Sequence, residues 1–130
     1  MAQEPDTGSR NLALDAAKLV LEKKGLDLNL LEVGKISIVA DYFLLVTGTT
    51  VVQVHAIADH LLESLKKSGL YALRVEGYRE GWWVVLDYGG LVIHIFQTEA
   101  RTFYDLDRLW SGAPKVPLDQ LQENSFLSLD

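Results

Sequence analysis

Four groupings of residues in this 130-residue chain could do chemistry. Gly48-Thr49-Thr50 lies between an apolar run and a helix-like segment. A strand-to-helix turn of that kind can hold an anion on free backbone N–H groups. Asp105-x-Asp107 has the spacing of a carboxylate pair that holds magnesium on a phosphate. Asp87 and His94 flank a Tyr88-Gly89-Gly90 turn, where a carboxylate and an imidazole could share a proton. His55 and His60 share one helical segment and are the remaining candidate metal ligands.

Spacing argues against most of this chemistry. The two helical histidines are five apart, and ligands on one helix face need three or four, so a metal site there is rejected. Asp105 and Asp107 fall in a segment that reads as helix, where their side chains would point about 200° apart. No nucleophile accompanies Asp87 and His94, so a pair that merely fixes a hairpin is the plainer expectation. A plain turn is likewise the plainer expectation for Gly48 to Thr50. There is no cysteine, no Gly-rich phosphate loop and no Gly-x-Ser-x-Gly elbow.

The elements that must position these residues follow from periodicity. Ser9 to Lys24 repeats its apolar residues as an amphipathic helix, with Gly25 as the expected stop. Leu28 to Val33 alternates as a strand, and Tyr42 to Val46 is apolar throughout, as in a strand buried on both faces. Thr50-Val51-Val52-Gln53 has the capping-box pattern and opens a helix that ends at Lys66-Lys67-Ser68-Gly69. Tyr71 to Val75, Trp82 to Asp87 and Leu91 to Phe96 read as strands, the last two as a hairpin. Thr98 to Trp110 reads as one short helix capped by Thr98, with Phe103, Leu106, Leu109 and Trp110 as its apolar stripe. The predicted order is α-β-β-α-β-β-β-α, a single layered α/β domain with a mixed five-stranded sheet and flanking helices. Residues 1–8 are expected to be a flexible tail, 9–112 the domain, and 113–130 a second tail that docks weakly at most.

Period-two arithmetic places Trp83, Val85, Asp87, Val92, His94 and Phe96 on one face of the hairpin. Trp82, Val84, Leu86, Leu91, Ile93 and Ile95 take the other. Both faces are apolar, so one covers helices and the other is either covered too or is an interaction surface. One tryptophan is expected in the core and the other as a partner anchor.

Composition narrows the partners. The net charge is −6, which disfavours a dominant grip on nucleic acid, although an acidic protein can still join a nucleoprotein particle through a basic protein. No run reaches the ~18 apolar residues of a membrane span. The N-terminus lacks the pattern of a signal peptide, so a cytoplasmic location is expected.

One further set of residues is distinctive as a whole. Asp41-Tyr42-Phe43, Thr47-Gly48-Thr49-Thr50, Ala58-Asp59, Glu76-Gly77, Trp83, Asp87-Tyr88-Gly89, Val92-Ile93-His94, and Phe103-Tyr104-Asp105-Leu106 through Leu109-Trp110 occur in this order. Over residues 10–112 the chain resembles the ribosomal silencing factor family, RsfS, also called Iojap or YbeB. The resemblance implies a non-enzymatic translation regulator without catalytic, cofactor or metal residues. It implies a fold related to nucleotidyltransferases without their catalytic carboxylates. It also implies binding to the large ribosomal subunit at ribosomal protein L-fourteen, with steric exclusion of the small subunit and little direct nucleic-acid contact. Organelle relatives act in large-subunit assembly, and isolated members can form homodimers. By position, Trp83 matches the family's tryptophan and is the expected anchor. Trp82 stands where the family usually has a small or polar residue, which leaves open which indole is exposed. Asp87, Tyr88 and His94 match the hairpin signature. Asp105 and Asp107 could meet basic side chains of the partner. Alternative readings are an assembly factor, a plain dimerisation module, and a residual nucleotide binder at Gly48 to Thr50.

Overall fold

The structure, a computed structural model, describes residues 7–119 and 121. Helix α1 spans Thr7–Glu22, so Thr7 and Gly8, read from sequence as tail, are helical. Its buried positions Ala13, Ala16, Ala17 and Val20 are small, which lets the helix lie close to the sheet. Its expected stop at Gly25 is corrected. Lys24 takes the left-handed conformation (φ 62°), and Gly25 is needed for space, because a Cβ there would meet Val20 and Val46.

Strand β1 (Leu26–Leu31) begins with a register irregularity at the left-handed Asp27. Val33, read from sequence as strand, lies instead in a 3-10 turn, Val33–Lys35. Strand β2 (Tyr42–Gly48) is buried along its whole length. Helix α2 (Val51–Lys67) follows, and Thr50 caps it by accepting from Gln53 N at 3.0 Å. Its apolar face buries Val54, Ile57, Ala58, Leu61 and Leu65 as the periodicity requires.

Strands β3 (Arg74–Glu76), β4 (Trp83–Asp87) and β5 (Leu91–Gln97) complete a five-stranded mixed sheet in the order β1-β2-β5-β4-β3. Only β2 and β5 run parallel; the other pairs are antiparallel. Gly77 (φ 74°) closes the link from β3 to β4, and a Cβ there would strike the Trp83 carbonyl, so only glycine fits.

The predicted last helix is in fact two. Helix α3 (Thr98–Tyr104) and helix α4 (Leu106–Leu109) are separated by Asp105 in the left-handed region (φ 52°). Aspartate tolerates that conformation because its short side chain bonds locally. The N-cap of α3 is Gln97, not Thr98.

The C-terminal segment also departs from expectation. Residues 113–118 pack onto the sheet: Ala113, Val116 and Leu118 are buried. Backbone bonds run from Glu32 N to Pro114 O and from Val116 N to Leu30 O, along the open edge of β1. Pro114 and Pro117 do exclude a helix, but an edge partner needs only alternate N–H groups, so prolines are tolerated there. The expected tails at 1–6 and beyond 121 lie outside the described residues.

Two cores result. One face of the sheet, with Leu30, Tyr42, Leu44, Val46, Val84, Leu86, Leu91, Ile93 and Ile95, packs under α1 and α2. The other, with Leu31, Phe43, Leu45, Val92 and Phe96, lies under α3 and α4, of which only Ala100 and Leu106 are buried. Among the described residues no helix is long and apolar enough to cross a membrane.

Candidate functional site

The thinly covered face carries Trp83 and His94 beside the exposed aromatics of α3. In the β4–β5 register Val85 opposes His94 and Asp87 opposes Val92, so the two faces of the hairpin are those expected from period two. Trp83, the first residue of β4, is half-buried. Its indole stacks on Phe96, with centroids 5.3 Å apart, and meets Tyr104 of α3 at 4.5 Å. Phe103 stands edge-on to Tyr104 at 4.9 Å. Phe103 and Leu109 are 76% and 74% exposed, and Tyr104 is 40% exposed. Trp83, Tyr104 and Phe103 form an aromatic rim where β4 meets α3, and Leu109 is exposed on α4. The sequence reads Phe103 and Leu109 as part of one apolar stripe with Leu106 and Trp110. The break at Asp105 disrupts that stripe and leaves both outside.

Trp82 is not core either. It lies just outside β4, is 37% exposed, and belongs to neither buried cluster. Of the two indoles, Trp83 joins the aromatic rim.

His94 is placed beneath this rim and not on it. It is only 6% exposed, edge-on to Phe43 at 4.7 Å. Its Nδ1 accepts the Trp83 Nε1–H at 3.1 Å. Burial pushes its pKa from 6.5 down to about 4, against the opposing influence of the Asp87 charge, so the ring is neutral at pH 7. With Nδ1 accepting, the proton sits on Nε2, which is buried and has no partner among the described residues.

The expected pairing of Asp87 with His94 does not form. They are diagonal neighbours on one face, but Asp87 turns to the hairpin loop. It accepts from Gly89 N at 2.8 Å and faces Arg74 at 3.4 Å. Tyr88 packs against the opposite core, under α1 and α2. Its hydroxyl is buried without a partner among the described residues, and burial raises its pKa above the ordinary value. Asp87 and Tyr88 therefore shape the hairpin turn at the far end of β4 from Trp83.

The two acidic residues near α4 have separate fates. Asp107 holds Arg101 in a two-pronged pair, with contacts of 2.7 and 2.9 Å, and accepts from Asn29 Nδ2 at 2.8 Å. The Arg101 guanidinium holds the Asp107 carboxyl below its usual range, and Arg101 also donates to Thr47 Oγ1. Asp107 is thus paired within the fold, with its side chain 35% exposed. Asp105 is more open and lies 3.5 Å from Arg108.

In the Gly48–Thr50 turn the Thr49 amide and the Thr50 hydroxyl are engaged by Gln53. Thr49 N donates to Gln53 Oε1 and Gln53 N to Thr50 Oγ1, while Gln53 Nε2 reaches back to Lys24 O. His55 stacks on Tyr78 and His60 pairs with Glu22. Among the described residues no cluster of three or more histidines and carboxylates is placed to hold a metal ion.

A family model described as ribosomal silencing factor during starvation matches residues 6–127. The chain belongs to the RsfS family. Ribosomal silencing factor RsfS of Bacillus subtilis is 38% identical over 104 residues, spanning 80% of this chain and 88% of the relative. A crystal structure of a protein from Bacillus halodurans superposes with a TM-score of 0.72 at 34% identity, covering 87% of this chain and all of that one. A mouse protein named mitochondrial assembly of ribosomal large subunit protein 1 is 29% identical over 100 residues, 69% of this chain and 43% of the relative. The RsfS match covers the aromatic rim, the hairpin and residues 113–118 together, so the segment along β1 lies within the family's extent. Names within the family speak of ribosome silencing and of large-subunit assembly, and none of these three speaks of an enzyme.

Proposed function

We propose that this protein is a cytoplasmic silencing factor that docks on the large ribosomal subunit at ribosomal protein L-fourteen and excludes the small subunit by occupancy. The observation that carries this reading is the aromatic group of half-buried Trp83 with exposed Tyr104 and Phe103, beside the exposed Leu109 of α4, on the weakly covered face of a member of the RsfS family. Monomeric proteins rarely leave aromatic side chains grouped on the surface without a partner for them. Tryptophan and tyrosine at the centre of such a patch are the usual hot spots of an interface. Blocking subunit joining needs no turnover. The effect follows affinity and concentration alone.

The test is co-sedimentation with large subunits, small subunits and joined ribosomes. The protein is expected with large subunits only, and joined ribosomes should decrease as it is added. Trp83→Ala should weaken this binding by more than ~2 kcal/mol, roughly thirtyfold, with the fold retained. Binding to none of the particles, or equal binding by the variant, overturns the reading.

Large-subunit assembly is the second reading, and the name of the mouse relative favours it. It uses the same rim but predicts a different phenotype. Depletion would accumulate large-subunit precursors, whereas a pure silencing factor would leave subunit maturation intact and raise joined ribosomes in starved cells.

A further inference from the structure

His94 lies in the hairpin signature of the chain, yet it is buried and cannot itself touch a docked protein. What it touches is Trp83. The indole has one donor, Nε1–H, and that donor ends on His94 Nδ1 at 3.1 Å. We propose that His94 is a positioning residue for docking: its Nδ1 fixes the rotation of the Trp83 indole, so that the ring reaches the partner already in its bound orientation. This rests on the docking role of Trp83 proposed above.

Three observations support the assignment. First, Trp83 is only half-buried; its ring stacks on Phe96 and lies tilted by 42° against Tyr104. Ring-face contacts restrain the plane of an indole but tolerate its flip about χ2, which keeps the plane and carries Nε1 to the other side. The hydrogen bond to His94 supplies the missing direction. Second, the histidine is itself held. It opposes Val85 on β4 and Leu45 on β2 in the interior of the sheet, with Phe43 against its ring. Third, the arrangement leaves Nε2–H without an acceptor among the described residues. A buried orphan donor costs free energy, and an apolar side chain would avoid that cost. The polar group therefore has a use other than stability, and its one partnered atom faces Trp83. A rigid aromatic anchor binds better than a mobile one because less rotamer freedom is lost on docking.

The test compares variants that keep or remove the Nδ1 acceptor. His94→Phe keeps a ring without the acceptor, and His94→Leu is a second acceptor-free change should the larger ring disturb packing. His94→Asn places an amide oxygen near the Nδ1 position. Two readouts are taken on the full chain: the indole N–H resonance of Trp83, assigned by its loss in Trp83→Phe, and affinity for purified large subunits. The acceptor-free variants are expected to shift the indole resonance and weaken binding about three- to tenfold, the worth of one neutral hydrogen bond. His94→Asn should restore the resonance towards the wild-type position and recover most of the affinity. An unchanged resonance in folded His94→Phe or His94→Leu overturns the inference. So does a shifted resonance with full affinity, provided that Trp83→Ala does weaken binding. If Trp83→Ala binds as well as wild type, the docking reading falls instead. Equal losses in all three His94 variants would mark a packing role and also overturn positioning.

Discussion

Trp83 and His94 share one face of the hairpin with Asp87, and it is the indole N–H that the imidazole accepts. The period-two pattern correctly put both on one face of the hairpin with Asp87. It could not say which polar groups would join, because Asp87 has a closer local donor in Gly89 N, two residues away. Local side-chain bonds in turns commonly outcompete cross-strand ones. The result is a histidine with no charge beside it in hydrogen-bonding contact, and this has a consequence for pH. The His94 pKa is 6.5 as an ordinary histidine and about 4 in the fold, because burial disfavours the charged ring. Because the buried ring resists protonation, the fold is at full stability with respect to this group above about pH 6.5 and loses stability as pH falls from there through about 4. The loss is on the order of 3 kcal/mol, so chemical denaturation at pH 7 and at pH 4.5 should differ measurably. His94→Phe should flatten this part of the profile. A variant profile parallel to wild type would assign the acid sensitivity to other groups.

Among the elements, α2 and the hairpin were legible in the sequence because their signals are local. A cap, a 3.6 period and a two-strand alternation each lie within a few residues of what they determine. The break between α3 and α4 was not legible. Phe103, Leu106 and Leu109 are three apart and imitate a helical stripe, and what decides against it is a long-range tie. Arg101 of α3 is held by Asp107 of α4, and that carboxylate also accepts from Asn29 of β1. The bonds bring α4 back against the sheet across the left-handed Asp105. Firm docking of residues 113–118 on β1 has no local signal for the same reason, since its partners lie more than eighty residues away in the chain. The tie predicts an asymmetry between neighbours. The Arg101 side chain is 13% exposed, so Asp107→Ala leaves a mostly buried cation unpaired and should cost about 2 kcal/mol, seen as a lower denaturation midpoint. Asp105→Ala, which loses only the longer contact to Arg108, should change stability far less, although it must keep a left-handed backbone. Equal midpoints for Asp107→Ala and wild type would mean that the apolar contacts of Leu106 alone hold α4 in place.

At the scale of the whole molecule, the charge distribution separates two ways of holding a ribosomal subunit. The chain carries −6, yet the segment that bears the rim is nearly balanced: Glu99, Asp105 and Asp107 are offset in part by Arg101 and Arg108. Four of the six excess negative charges, on Glu4, Asp6, Glu123 and Asp130, belong to residues outside the described part of the chain. Facing a particle covered in phosphate, such a molecule is repelled at long range and held by apolar contact at short range. Proteins that bind through phosphates release counterions, and their affinity falls steeply with salt, by a factor of about a thousand or more between roughly 50 and 200 mM when many contacts are made. The docking proposed here has the opposite character. Added salt shortens the Debye length from about 14 to 7 Å over that range and screens the repulsion from RNA, while leaving burial of Trp83 and its neighbours almost unaffected. Affinity for purified large subunits, measured at fixed magnesium, should stay within about threefold of its low-salt value or rise. Binding to the isolated ribosomal protein should instead weaken with salt if that protein presents a basic surface, because the attraction between an acidic protein and a basic one is what salt then screens. A steep loss of subunit affinity with salt would reveal phosphate contacts by Lys or Arg side chains, and the docking face would then have to be sought away from the aromatic rim.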